Sequence, residues 1–257
     1  MSPQQQFIAF KTLVRKEIRR FTRIWVQTLI PPVITMALYF VIFGSLIGRR
    51  IGEMGGLDYM SFVVPGLIMM AVINNSYSNV VSSFYSAKFT KSIEELQVSP
   101  TPNYIIMLGY VCGGCLRGLL VGLIVTLISM LFTDLQVHNL FVTASVVFLT
   151  AFLFSLAGMI NAIFANSFDD ISIIPTFVLT PMTYLGGVFY SIDLLPEFWQ
   201  GVSQLNPILY MVNAFRYGLL GVSDVNIGVA FAGIIGFLLV LLAYCLFLLE
   251  HGKKLRN

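Results

Sequence analysis

Residues 181–216 read PMTYLGGVFYSIDLLPEFWQGVSQLNPILYMVNAFR, and the backbone that this stretch can adopt decides the fold. It begins as the end of an apolar run. It then meets Gly186-Gly187, Pro196 and Asn206-Pro207, with Asp193 and Glu197 between them. Proline removes a backbone donor and fixes φ, and the residue before it avoids the α region. One continuous helix is therefore excluded. Phe189, Tyr190, Phe198, Trp199, Leu209, Tyr210 and Phe215 make the stretch too apolar for an ordinary water-exposed loop. Trp and Tyr gather at the membrane–water interface, and broken backbone survives at membrane depth only inside protein or around a watery cavity. Residues 191–216 are expected to be two short helices re-entering one membrane face, the first opened by Pro196 and the second by Pro207. Arg216 closes the stretch, where its donors can reach helix-end carbonyls or the carboxylates of Asp193, Glu197 and Asp224.

The rest of the chain agrees with a membrane setting. Of 257 residues, 57% are hydrophobic and 11% charged, with mean hydropathy +0.86. A soluble domain has about 45–50% apolar and about 25% charged residues. The net charge of +3 gives no reason to expect nucleic acid. Cys112 and Cys115 form a CGGC inside an apolar segment, where the water and βαβ context of a redox pair are missing; they read as small residues on one helix face. No cleavable leader is expected, because the first apolar run follows a long basic helix.

In chain order, residues 5–23 place Phe7, Phe10, Leu13, Val14 and Ile18 at helical spacing among Lys11, Arg15, Lys16, Arg19 and Arg20. This predicts a basic amphipathic helix in the interface plane. Trp25 to Gly48 is the first span, with a kink expected at Pro31-Pro32. Residues 60–86 are the second; Asn75, Asn79, Ser82 and Ser86 share one face and either line a path or bond to a neighbouring helix. Residues 87–102 are the one sizeable polar connector, in which Ser92 and Glu95 have the spacing of a capping box. Residues 103–132 are the third span. Gly109 and Gly113, and Gly114, Gly118 and Gly122, follow the small-xxx-small packing pattern. Arg117 lies in that span with no carboxylate in a neighbouring one; backbone carbonyls or water are its expected partners, and an intramembrane charge is a candidate functional residue. Residues 140–165 are the fourth span, with Ala151, Ser155, Gly158 and Ala162 on one face. Ser167 and Asp170 cap the fifth, 171–190, whose polar face carries Thr176, Thr180 and Thr183. Residues 227–249 are the sixth, and a basic tail follows.

Lys/Arg placement orients the spans. The N-terminal arm, the 87–102 connector (Lys88, Lys91) and the tail (Lys253, Lys254, Arg256) fall on one side, against Arg49, Arg50 and Arg216 on the other. Both termini are expected in the cytoplasm. The phosphate-cradling Gly-x4-Gly-Lys-Ser/Thr is missing. His138 and His251 stand far apart, so no metal site and no catalytic residue is expected. An all-α membrane protein of six transmembrane helices, forming one domain over residues 1–257, is the expected fold.

Pro181, Tyr184, Phe189, Leu195-Pro196, Asn206-Pro207 and Arg216, in this order and spacing, resemble the signature of ABC-2-type transporter permeases, and the likeness extends over essentially the whole chain. The resemblance implies the type V exporter fold and a role as membrane subunit of an ATP-driven exporter in a bacterial inner membrane. It implies residues 5–23 as a connecting helix and 87–102 as a coupling-helix loop that docks on a separate ATPase through Ile93, Glu94, Glu95 and Leu96. It implies a dimer of permeases, a homodimer or a heterodimer with another permease, carrying two ATPase copies, which hold the ATP and Mg that this chain does not. A path at the dimer interface is expected along Asn75, Asn79, Thr176, Thr180 and Tyr184, with Pro196, Pro207 and Arg216 at a re-entrant gate. Two other classes stay open. An ion-coupled secondary transporter uses midplane breaks and intramembrane carboxylates, both scarce here; a non-transporting scaffold would retain no ATPase.

Overall fold

The computed structural model describes residues 1–54 and 56–251, without the side chains of Ser45 and Arg49. The tail cations Lys253, Lys254 and Arg256 therefore lie outside the described residues. Helix α1 (Pro3–Arg23) breaks at Ile24 and continues as α2 (Trp25–Phe40). α2 passes through Pro31 and Pro32, and Val41–Gly48 extends it in wider π turns. The one-turn α3 (Arg49–Ile51) leads to a small hairpin of β1 (Glu53–Met54) and β2 (Leu57–Asp58), with Glu53 opposite Asp58. Then come α4 (Tyr59–Phe89), α5 (Ser92–Val98), α6 (Asn103–Ser129) and α7 (Leu140–Phe164). A chain of five-residue pieces follows: α8 (Asp170–Ile174), a π turn (Pro175–Leu179) and α9 (Thr180–Tyr184). After a single 3-10 turn come α10 (Glu197–Gln204), α11 (Pro207–Leu220) and α12 (Ile227–His251).

Five of these stretches are long and apolar enough to cross a membrane: Trp25–Gly48, α4, α6, α7 and α12. α4 is their axis. Its most apolar window is 83% buried, against 12% for Trp25–Gly48 and 17% for α12. Small residues bring the neighbours close to it. Gly114, Gly118 and Gly122 of α6 lie against Val80, Ser76 and Val72 of α4. Gly158 of α7 lies on the backbone of Tyr77, within the buried face of Ala151, Ser155 and Ala162. A Cβ on these glycines would push the helices apart, and close backbone approach drives helix association where lipid removes the hydrophobic incentive.

The second glycine pair on α6 serves another partner. Gly109 receives Leu13, and Gly113 receives Glu17, both from α1. Gln6 accepts a hydrogen bond from Tyr104 Oη at 2.8 Å. The contacts advance together along both helices, so α1 runs lengthwise beside α6 and takes its tilt from that helix. The buried face is Leu13, Glu17 and Phe21, while Phe7 is 65% exposed.

Two local expectations are corrected. No capping box opens α5: its N-cap is Lys91, at φ 59, with no side-chain cap. The Ser92 hydroxyl instead donates back to Ala87 O at 3.2 Å. The fifth apolar segment stops at Tyr184 rather than 190, because Gly186-Gly187 turns the chain and Gly187 has φ +70. Its helical part rises roughly 22 Å at 1.5 Å per residue, short of a hydrocarbon core of about 30 Å. The expected Ser167–Asp170 cap is present: Asp170 N donates to Ser167 Oγ at 3.1 Å, and Ser167 N to Asp170 Oδ2 at 3.2 Å. The backbone N–H of Asn166, with further bonds from Ser167, holds the Asp170 carboxyl below its ordinary range.

Candidate functional site

At one end of the helices, α5 hangs between α4 and α6. Ile93 is 1% exposed and packs inward, so its expected place at a partner contact is corrected: it anchors α5 to the core. Leu96 is half-buried against the same core and Glu94 is half-buried, whereas Glu95 is exposed and Val98 is 87% exposed. Just before α5, Phe89 stacks edge-on with Phe168 of the α7–α8 turn at 5.2 Å, and both rings are exposed. Lys88 Nζ donates to Ile163 O and Ala165 O, each at 2.8 Å. These are carbonyls at the C-terminus of α7, where a cation also meets the helix dipole favourably. The base of α5 and the α7–α8 turn are thus one unit.

Along α4, the polar stripe is already occupied. Asn79 Oδ1 accepts from Arg20 at 2.9 Å, and Arg20 also reaches Asn79 O at 2.8 Å. Glu17 is 1% exposed; it accepts from Ser83 Oγ at 2.7 Å and pairs with Arg20 Nε at 3.4 Å. Asn75 Oδ1 accepts from Arg117 at 3.2 Å. Arg117 also donates to Thr28 O at 3.4 Å. That carbonyl lies four residues before Pro32, which has no N–H to give it. The expected backbone partner of Arg117 is therefore a carbonyl released by a proline. Asn75 and Asn79 are buried in helix contacts, while Thr176, Thr180 and Tyr184 are exposed on another segment. The five expected path residues do not share one surface.

At the other end, Arg216 is fully buried. It donates from Nε to Phe62 O at 3.3 Å, to Asn213 Oδ1 at 3.2 Å and to Gly187 O at 2.6 Å. Its guanidinium lies 3.8 Å above the Phe62 ring, and Asp224 is 3.9 Å away. Of the three carboxylates expected near it, Asp224 alone is paired with it; Asp193, in its single 3-10 turn, and Glu197, at the start of α10, are both exposed. Gly187 belongs to the 185–190 turn, which α4 holds as well: Tyr59 Oη donates to Phe189 O at 3.2 Å, and Val188 fits against Gly66. The turn presents Phe189 to a ring cluster with Phe43 at 4.8 Å, Tyr184 at 5.6 Å and Tyr39 at 6.0 Å. Pairs at these separations attract beyond their buried area. The cluster draws on residues 39–43 and 184–189, and their wide separation in sequence hides it from pattern reading.

Between α10 and α11 the chain makes a tip. Asn206 accepts from Ile208 N at 3.0 Å and donates to Met182 O, capping α11 and fastening it to α9. Pro207 shares a cavity with Tyr77 and Phe237, near the middles of α4 and α12. Pro196 stands at the N-cap of α10 and Pro207 at N1 of α11, which leaves no orphan donor at either position. At its far end, α11 is gripped by the α6–α7 connection, where His138 N and Asn139 N donate to Leu219 O and Gly218 O. Among the described residues no cluster of His, Cys, Asp and Glu could hold a metal ion.

A bundle of apolar helices around α4, with a short capped helix at one end and a broken, arginine-pinned stretch at the other, defines a membrane permease. The ABC-2 type transporter family matches residues 8–220, and the chain belongs to that family. It is 58% identical over 251 residues to the inner membrane transport permease YadH of Escherichia coli (strain K12), covering 98% of each chain. It is also similar to Nodulation protein J of Sinorhizobium fredii, at 24% over 178 residues (69% of this chain and 68% of that one), and of Rhizobium meliloti, at 22% over 192 residues (74% and 73%).

Proposed function

We propose that this chain is the transmembrane subunit of an ATP-driven exporter, a homodimer in a bacterial inner membrane with one ATPase under each copy. Residues 170–190 complete a sixth crossing, helix and turn together. α10 and α11 re-enter from the outer face, and both termini lie in the cytoplasm. ATP and Mg belong to the ATPase; this subunit is not catalytic. The observation that carries the reading is α5, a short helix anchored by Ile93 between two spans, with Glu95 and Val98 exposed. Glu95 and Val98, with the Phe89–Phe168 pair beside its base, form the docking surface. Lys88 passes movement of α5 to the ends of α4 and α7 together. The path follows the exposed Thr176, Thr180 and Tyr184, and the Tyr39, Phe43, Tyr184 and Phe189 rings close it outside. ATP drives the cycle through its differential affinity for the closed state.

Val98→Asp tests the docking surface. A carboxylate placed in an apolar contact must be desolvated without a partner. The variant is expected to reach the membrane but lose the ATPase on purification, while Ile93→Val retains it. Co-purification of Val98→Asp at the wild-type ratio refutes the assignment.

A further inference from the structure

Segment 170–184 leaves space beside it. Its π turn widens it in the middle and it ends at Tyr184, whereas α7 and α12 on its flanks have 25 residues each. The gap is a cavity of about 360 Å³, walled by Leu153, Ala157, Phe164, Ile174, Phe237 and Leu241. A second hollow of about 290 Å³ continues it past Leu205 and Gly233 at the tip between α10 and α11. The two share Met182, Pro207 and Phe237, so they form one groove along α12. A Cβ at Gly233 would meet nothing within 4 Å.

No charged side chain lines this groove. Asn161 Nδ2 is spent on Ile171 O, and the Tyr77 hydroxyl, buried and without a hydrogen-bond partner, is the polar group left beside the first cavity. Water held there would lack the two or more polar partners it needs. A void of this size left empty forfeits dispersion contacts along its whole lining. We propose that the groove is a binding site for one alkyl chain of a bilayer lipid. At roughly 30 Å³ for a group the size of water, the first cavity alone takes on the order of a dozen chain carbons.

The occupant is set by what adjoins the groove. It opens beside α12, whose Leu239, Val240 and Tyr244 are exposed and apolar, and so it is continuous with the lipid-facing surface of a membrane span. Side chains two apart on a helix point nearly opposite ways. Ile174, Val178 and Met182 face the groove; Thr176, Thr180 and Tyr184 are exposed on the other side. The second permease copy takes the threonine face, which leaves the groove to lipid; this choice of occupant rests on the path proposed above. A chain seated here braces segment 170–184 and the Asn206-Pro207 tip against α12.

The complex with its ATPase, reconstituted with a phosphatidylglycerol bearing a mid-chain diazirine, tests the site. After irradiation, adducts on Met182 and Phe237 are expected at several times the yield on the outward-facing Leu239 and Val240. Gly233→Leu and Ala157→Phe each fill the groove, and either should lower the Met182 adduct several-fold while leaving Val240 unchanged. Equal yields at groove and outward positions mean ordinary annular lipid and overturn the proposal. A disulfide between two copies through Phe237→Cys also overturns it, because protein then covers the groove. Thr180→Cys addresses the path separately: failure of its cross-link with groove adducts retained sinks the path and leaves the lipid site standing.

Discussion

Arg216→Ala removes a buried side chain that ties α4, α11 and the 185–190 turn together. It strands the buried Gly187 O, takes a second donor from Phe62 O in α4, and removes the cation from above the Phe62 ring. Asn213 Oδ1 keeps a donor in Asp224 N at 3.1 Å. Losing the charged hydrogen bonds to these carbonyls together with the desolvated ring contact costs about 3–4 kcal/mol. The Asp224 contact is a minor share, about 0.5–1 kcal/mol, because the pair is 3.9 Å apart and the carboxylate is 17% exposed. A cycle with Asp224→Ala should therefore show coupling under about 1 kcal/mol. Lysine keeps the charge but cannot fork toward three diverging acceptors, so Arg216→Lys should recover only part of the loss. The readout is local opening of the turn, followed as labelling of Phe189→Cys by a membrane-impermeant thiol reagent. With 1.4 kcal/mol per tenfold, labelling should accelerate roughly 10²–10³-fold. ATPase assembly should survive, since α5 lies at the other end of α4, and export should fall relative to ATP hydrolysis. Labelling within about threefold of the parent, with full transport, refutes the pin.

Three further outcomes follow from the same contacts. Glu17→Ala should destabilise the purified permease by about 2–3 kcal/mol in a denaturant titration, below the full buried-pair cost because Arg20 is 29% exposed; Glu17→Gln, which keeps the Ser83 bond, should cost about 1 kcal/mol. Gly118→Val drives a side chain into Ser76, and overpacking of this kind costs about 1–3 kcal/mol, visible as a lower midpoint than for Gly233→Val, where nothing is met. The Asp170 cap has a pH signature. Its folded carboxyl is held low, so its contribution is present above the ordinary carboxylate range and is lost as pH falls through the folded value; the protection of Asp170 N, its exchange relative to the intrinsic rate at each pH, should fall in acid and stay constant for Asp170→Asn.

Five of the expected spans, the glycine faces of α6 and the reach of Arg216 for backbone carbonyls are legible in the sequence because each is a local pattern with one physical solution. The packed face of α1 is not. Leu13, Glu17 and Phe21 form a face at i, i+4 and i+8, but so do Phe7, Phe10, Val14 and Ile18. In water, periodicity identifies the buried side. In a membrane, lipid and protein both accept apolar surface, so the more apolar stripe need not be the packed one. Here the buried face contains an acid, and Gly113 makes the room for it. The same ambiguity affects Asn75 and Asn79, whose amides suit a path as well as a helix contact. Ring clusters such as Tyr39, Phe43, Tyr184 and Phe189 require knowing that residue 39 meets residue 189. No spacing rule supplies that.

Arg117 was readable in kind, and the proline explains why. A span can tolerate Pro only where another group satisfies the freed carbonyl. Pro32 frees Thr28 O, which receives Arg117; Pro175 frees Ile171 O, which receives Asn161 Nδ2 at 3.4 Å. In both cases the donor comes from a different helix, so each break is also a cross-brace. If this is the reason for the arginine, its value must depend on the proline. Arg117→Met alone leaves Thr28 O unpaired at a cost of about 1–3 kcal/mol. In a Pro32→Ala background the restored N–H serves that carbonyl, and the same substitution should cost roughly 1 kcal/mol less or better. Denaturant titration of the four proteins measures the difference. Equal costs in both backgrounds would remove the carbonyl from the explanation and leave Arg117 to the Asn75 contact alone.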